Sequence, residues 1–292
     1  EIALNNNKAS KVNLNEIKKN VEYVPDPEID IEKNIPTTNA KQPNTYALII
    51  GNEDYSSFQT GLNTEINVDF AINDARIFKE YCSKTLGIPE NQIKLLTNAT
   101  YGQMSQGIAW IKNLAKIENG EAKLLFYYSG HGLPDEQTKE PYLIPVDISG
   151  SNIQNAIKLN KVYSDLTEFP AERITVFLDA CFSGGARNQG LVAMKSIRVK
   201  PKEESISGNM VVFASSSGDE SSAVYPEKHH GYFTYFLLKK LQQTKGEVEL
   251  KVLGDYIQQS VSKQAALKSK IQTPQVNGSS EAADKWEGWK LK

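Results

Sequence analysis

Cysteine and histidine are scarce in this chain. Its 292 residues contain two cysteines and three histidines. Two cysteines exclude a disulfide framework and a cysteine-rich zinc site. Long hydrophobic runs are also missing. A stretch such as "YALII" is far too short to cross a bilayer, so no membrane segment is expected. Charge of one sign is not in excess either. A net charge of −2 gives no global field for nucleic acid or an anionic surface. There is no G-x-S-x-G elbow for a serine esterase, and no internal repeat. "GNEDYSS", after the first apolar run, is a poor phosphate loop, which weakens a nucleotide-binding reading. The chain begins at Glu1 rather than a methionine, so the lack of a leader says little about compartment.

What is present divides unevenly. Residues 1–44 are polar and proline-punctuated, without a sustained period, and read as an extended arm or linker. The remainder, 45–292, reads as one domain. Short apolar runs at 46–51, 93–97, 123–130, 174–180 and 210–216 read as strands, and 142–147 as a short extended piece. Apolar spacing near 3.6 predicts helices over 70–87, 101–117, 161–169, 232–243 and 252–267. Continuous apolar strands alternating with amphipathic helices predict an α/β three-layer sandwich around a mostly parallel sheet.

Ligands of such sheets bind beyond the carboxyl ends of the strands. Two strand ends there carry distinctive chemistry: "SGHG" with His131, and "DACFSGG" with Cys181. Glycines beside His131 remove bulk around a ring that must project into a cleft. The small residues after Cys181 allow backbone N–H groups to converge on one oxygen. A strand-end thiol with an imidazole on a neighbouring strand end is the arrangement that acyl transfer needs. Cys82 lies mid-helix in "FKEYCSK" and reads as structural. His229 and His230, just ahead of a helix, read as capping or surface residues, and no metal site is expected there.

"YYSGHG", followed fifty residues later by "DACFSGG", resembles the caspase-like cysteine peptidases. The cysteine motif differs from the caspase "QACRG" and is closer to metacaspases, paracaspases and bacterial caspase-like proteins. "YALIIGNEDY" and "AINDA" belong to the same resemblance, which covers roughly 46–290. It implies a caspase–haemoglobinase fold, a His131/Cys181 dyad, peptide-bond hydrolysis through an acyl-enzyme, and oxyanion donors at the Gly132 and Cys181 N–H groups. Asp74, in "AINDA", matches the acid that lines the first specificity pocket of metacaspases. Asp179 lies two residues before Cys181, which places its carboxylate on the side of the sulfur. Two carboxylates facing one pocket favour a cation, Arg before Lys. The expected substrates are proteins or peptides with Arg or Lys at the cleaved position. Asp219 and Glu220, in "SSSGDESSAVY", are further acids near a pocket wall, with a solvated loop as the rival reading.

Some metacaspases bind calcium through an aspartate cluster. "FSGGARNQG", after the cysteine, carries no acids, so no calcium requirement and no other cofactor is expected. The long basic loop 184–209 follows the nucleophile, and Arg187, Lys195 and Arg198 are candidate self-cleavage sites. The rival to a peptidase is a catalytically silent scaffold or binding protein with the same fold. The presence of both His131 and Cys181 argues against it.

Overall fold

The structure is a computed structural model, and it describes residues 31–60, 66–182, 200–218, 220–283 and 285–292. Eleven strands occur among these residues: β1 (Thr45–Gly51), β2 (Ile93–Thr97), β3 (Lys123–Ser129), β4 (Gly132–Pro134), β5 (Pro141–Leu143), β6 (Ile157–Lys158), β7 (Arg173–Asp179), β8 (Met210–Ala214), β9 (Val224–Tyr225), β10 (His230–Gly231) and β11 (Gln275–Gly278). Five α-helices accompany them: α1 (Ala71–Glu80), α2 (Tyr101–Glu118), α3 (Leu159–Leu166), α4 (Tyr232–Thr244) and α5 (Leu250–Leu267). The main sheet has the order β11-β8-β7-β3-β1-β2. Its five inner and β2-side strands are mutually parallel, and β11 closes the other edge antiparallel to β8.

The central strands are apolar on both faces because both faces are covered. Ala47, Ile49, Tyr127, Phe177 and Phe213 point to one side and pack under α1, α4 and α5. Leu48, Ile50, Phe126, Tyr128, Val176 and Leu178 point to the other and pack under α2 and α3. This alternation yields the expected three layers. Phe78 of α1 stacks on Tyr127 with ring centroids 4.5 Å apart, and Phe177 meets Phe213 at 4.9 Å. Each such ring contributes roughly 1.5–3 kcal/mol by burial. A third, smaller cluster joins Tyr55, Ile66, Val68, Ile144 and Val146 to Tyr142 of the three-stranded sheet β4–β5–β6.

Local sequence explains most element ends. α2 starts at a capping box, in which Thr100 Oγ1 accepts from Gln103 N–H and the Gln103 side chain accepts from Thr100 N–H. β5 stops short of Pro145, which cannot donate to a ladder, so the extended piece expected over 142–147 is only half strand. The first helix ends at Glu80 rather than continuing to residue 87, because Tyr81–Thr85 widens into a π-turn closed by Leu86 N–H on the Tyr81 carbonyl. Gly87 follows with φ +77°, and a Cβ there would overlap the Ala40 carbonyl.

The segment 31–44 runs along this helix end. Thr38 N–H bonds the Lys84 carbonyl at 2.9 Å, Gln42 N–H bonds the Gly87 carbonyl at 3.0 Å, and Tyr81 OH donates to the Ile31 carbonyl at 2.8 Å. At the other terminus Trp286 and Trp289 pack against the α1/α4/α5 core, and Leu250 N–H bonds the Trp289 carbonyl.

Candidate active site

β3 and β7 are neighbours, and Ser129 pairs with Asp179 in register. His131 lies two residues beyond Ser129, and Cys181 two beyond Asp179. In extended chain, side chains two apart share a face. The ring and the sulfur therefore leave adjacent strand ends on the side of Tyr127 and Phe177. Both residues are covered, His131 at 4% and Cys181 at 5% exposure.

Two contacts fix the imidazole, and two more hold its backbone. Its Nε2 faces the Ile66 carbonyl oxygen, which can only accept, so Nε2 carries the hydrogen. Nδ1 is then the nitrogen that carries the lone pair. The Tyr55 ring packs against the imidazole at 4.6 Å between centroids. The Tyr55 hydroxyl accepts from His131 N–H at 3.0 Å and donates to the Ile144 carbonyl at 3.0 Å. Tyr128 OH donates to the His131 carbonyl at 2.7 Å.

The flanking glycines are required by space. A Cβ on Gly130 would lie 2.7 Å from the Tyr128 hydroxyl, and one on Gly132 would lie 2.7 Å from the Phe182 ring. Neither has a positive φ, so backbone freedom is not their role. Gly132 occupies a non-hydrogen-bonded position of the β4–β5 pair, since the adjacent bond runs from Ile144 N–H to the His131 carbonyl. Its N–H is not used by that ladder.

The sulfur of Cys181 receives the Ser222 N–H at 2.7 Å. The same sulfur lies 3.9 Å from the Ser222 carbonyl, to which a thiol can donate. Ser222 is held in turn. Its hydroxyl meets Ser215 Oγ, and Ser215 Oγ donates to the Ala180 carbonyl at 3.1 Å. Buried Gln272 bridges the same loop, accepting from Ala223 N–H and donating to the Ser215 carbonyl, both at 2.9 Å. Glu220 accepts from Thr273 N–H at 2.6 Å and from Thr273 Oγ1 at 2.9 Å, tying the loop to the chain ahead of β11. Glu220 thus serves as a loop anchor. Asp219 lies outside the described residues.

Asp74 and Asp179 are both fully buried and both sit at the N-terminus of α4. Gly231 N–H points at the two Asp74 oxygens, at 3.3 and 3.2 Å. Thr234 N–H reaches Asp179 Oδ2 at 3.3 Å, and Thr234 Oγ1 donates to the same oxygen at 2.7 Å. That hydroxyl is engaged as donor, so the 2.6 Å contact with Tyr127 has Tyr127 OH donating to Thr234. The carboxylates satisfy the orphan amides of the helix, where negative charge is favoured. Ser129 Oγ, between the two acids, donates to Asp74 Oδ2 at 3.4 Å.

His230 departs from the surface or capping role expected of it. It is fully buried, and its Nδ1 lies 2.7 Å from Asp74 Oδ1. Nothing local in "EKHHGYF" signals this, because the partner is 156 residues away. Tyr55, Ile66, Ser222 and Gln272 likewise went unmarked in the sequence. Ile66 acts only through its carbonyl, which no residue type encodes. Arg187, Lys195 and Arg198 lie outside the described residues. Phe182 and Lys200, which bound that segment, pack against Gly132 and Gly218 respectively. Among the described residues no group of three or more His, Cys, Asp or Glu is arranged to hold a metal ion, and no helix is long and apolar enough to cross a membrane.

Comparison with known proteins follows the same lines. Residues 44–284 match the family model described as caspase domain. A crystallised protein from Geobacter sulfurreducens superposes with a TM-score of 0.58 at 17% identity, covering 81% of this chain and 94% of its own. Caspase-1 from Spodoptera frugiperda superposes at 0.53 with 15% identity, covering 86% and 92%. Identities this low speak for the fold alone. No curated protein matches the chain by sequence.

Proposed function

The chain belongs to the caspase-domain family, and from that premise we propose that it is a cysteine endopeptidase that cuts after Arg or Lys. The observation that carries the reading is the β3–β7 register, which sets His131 and Cys181 on adjacent strand ends. The contact between Nε2 and the Ile66 carbonyl supports Nδ1 as the nitrogen that exchanges protons.

In this mechanism the Cys181 proton passes to His131 Nδ1, and the thiolate adds to the scissile carbonyl carbon. The oxygen becomes an oxyanion, met by the Gly132 and Cys181 N–H groups. Collapse breaks the carbon–nitrogen bond, and the imidazolium gives its proton to the departing amine. Water, deprotonated by Nδ1, then attacks the thioester. The carbon–sulfur bond breaks, the proton returns to sulfur, and the acid product leaves. Asp179 and Asp74 line the side of the site that receives the Arg or Lys cation. Self-cleavage at Arg187, Lys195 or Arg198 belongs to the same proposal. It is supported by Phe182, the residue ahead of that segment, whose ring lies against Gly132 beside His131.

Fluorogenic Arg, Lys and Asp peptides, with and without a thiol alkylator, test the reading. Alkylator-sensitive cleavage of Arg and Lys peptides is expected. Preference for Asp would reverse the pocket assignment. Intact mass after incubation tests processing: fragments from wild type but not from Cys181→Ala are expected.

A silent scaffold is the second reading. It draws on the cover over the nucleophile, since the Ser222 peptide lies against the sulfur. A protein that binds Arg peptides without cleaving them would favour it.

A further inference from the structure

The Cys181 sulfur is covered by main chain. Ser222 N–H reaches it at 2.7 Å, and the Ser222 carbonyl oxygen lies 3.9 Å away. Ser222 itself is buried. Both contacts come from backbone atoms, so no side chain at position 222 decides them. They depend on what holds residues 220–223 in place. Two of the holding contacts lead to one short stretch between α5 and β11. Buried Gln272 accepts from Ala223 N–H and donates to the Ser215 carbonyl, each at 2.9 Å. Glu220 accepts from Thr273 N–H at 2.6 Å and from Thr273 Oγ1 at 2.9 Å. That stretch is fastened to α5 in turn. Ser262 Oγ donates to the Gln272 carbonyl at 3.0 Å, and Gln258 Nε2 donates to the Pro274 carbonyl at 3.1 Å. A further tie runs to the nucleophile's own strand end. Ser215 Oγ donates to the Ala180 carbonyl, which leaves the Ser222 hydroxyl to donate to Ser215 Oγ.

Acyl transfer needs the carbonyl carbon within about 3–3.5 Å of the attacking atom. The Ser222 peptide stands inside that radius of the sulfur. Little apolar packing keeps it there. Residues 220–223 read Glu-Ser-Ser-Ala, and of the four only Ala223 belongs to a hydrophobic core cluster. The ties named above are hydrogen bonds, which water replaces once the stretch lifts. A segment fastened in this way opens more readily than the strands beneath it.

We infer that residues 220–223 form an autoinhibitory cover on Cys181, latched by Gln272 and by the Glu220–Thr273 contact, and that the sulfur meets a substrate carbonyl only when this latch opens. The inference rests on Cys181 as the proposed nucleophile and is independent of which residue is cut. It gives the covered sulfur a meaning other than a silent scaffold. It also makes the connection between α5 and β11, distant from the nucleophile in sequence, the place from which access is set. Weakening the latch therefore acts alike on every substrate.

Two readouts on the full chain test this. The first needs no activity: the rate at which iodoacetamide modifies Cys181, followed by peptide mass spectrometry. Rates are compared on the high-pH plateau, where the thiol is ionised and the rate reports access alone. Wild-type Cys181 is expected to react on the order of tenfold or more slower than in urea-unfolded protein. Gln272→Ala and Glu220→Ala each delete a pair of hydrogen bonds from the closed form. Each is expected to raise the native rate on the order of tenfold. Cys82, enclosed in the core, stays unmodified wherever the protein is folded. Glu220 is half-buried, so its variant folds even where Gln272→Ala does not. Wild-type rates in both variants with Cys82 protected, or a wild-type Cys181 as reactive as in unfolded protein, overturn the cover. The second readout is kcat/KM on fluorogenic Arg and Lys peptides. The same variants are expected to raise it several-fold with the Arg-to-Lys ratio unchanged. Faster alkylation joined to slower cleavage overturns the inhibitory role and assigns 220–223 to substrate binding. No cleavage by wild type or variants sinks the peptidase reading, and the alkylation rates then still decide the cover.

Discussion

The two cysteines differ in nearly everything except burial. Cys82 lies in the π-turn after α1, within the core under α1, α4 and α5, and has no exposed surface. Burial pushes its thiol well above the ordinary value, against a small opposing pull from Lys79. Cys181 is nearly as hidden, at 5% exposure, but lies one strand from an oriented imidazole and beneath a backbone N–H aimed at its sulfur. Exposure therefore does not separate Cys82 from the proposed nucleophile Cys181. The surrounding donors do, and they come from the sheet edge, where strands end and backbone groups are free to turn inward.

Breaking that edge should have the largest effects. Cys181→Ala and His131→Ala are each expected to lower kcat/KM on Arg peptides by roughly a thousandfold or more, and the double variant by little beyond either single one. Wild-type turnover in a pure Cys181→Ala sample would remove the dyad.

Asp179→Asn should come next. Loss of its charge is expected to cost on the order of 10- to 100-fold on Arg and Lys peptides. It also weakens the hold on the start of α4, lowering stability by about 1 kcal/mol. Equal losses on charged and uncharged peptides in steady-state assays would show a helix cap and no pocket.

Tyr55→Phe is a milder test. It keeps the ring against His131 but deletes the hydroxyl between His131 N–H and the Ile144 carbonyl. Leaving that buried N–H without its acceptor is expected to cost about 1–3 kcal/mol of stability. It should reduce kcat several-fold with KM nearly unchanged. A raised KM with unchanged kcat would assign Tyr55 to substrate binding.

The smallest effects belong to Cys82. Cys82→Ala should retain full activity and lose on the order of 1 kcal/mol of stability. Its raised thiol also has a signed consequence. Holding the protonated form contributes stability that is complete below the ordinary thiol value of 9.0 and falls as pH rises above it. Denaturant melts from pH 7 to 10 should show that decline in wild type and less of it in Cys82→Ala. Alkylation of native protein should modify Cys181 and spare Cys82.

Much of the fold is legible because strand and helix periods are written in local sequence. "KLLFYYS" and "RITVFLD" are strands in any context that covers both faces, and the structure places them side by side. Elements whose signal is short or polar escape such reading. "QVNG" becomes β11 only by pairing with β8, and "VY" and "HG" form β9 and β10 only by pairing with each other. Periodicity also extends the first helix too far, since it cannot distinguish an α-turn from the π-turn at Tyr81–Thr85.

The candidate site divides in the same way. By itself the sequence determined the three-layer plan, the strand ends that carry His131 and Cys181, and the position of Asp179 two residues before the cysteine, because residue type and spacing along one strand suffice for each, whereas Asp74, on α1, was marked only by the resemblance of "AINDA" to a known family. Only the tertiary structure decided which His131 nitrogen is bound, what lies against the Cys181 sulfur, and that His230 is buried in a hydrogen bond with Asp74. The Ile66 carbonyl and the Ser222 N–H are backbone groups that every residue possesses, and Glu32, Asp74 and His230 are brought together from three separate segments. Such contacts carry no local pattern, since they exist only where packing brings distant chain together and removes the water that would otherwise satisfy the same groups.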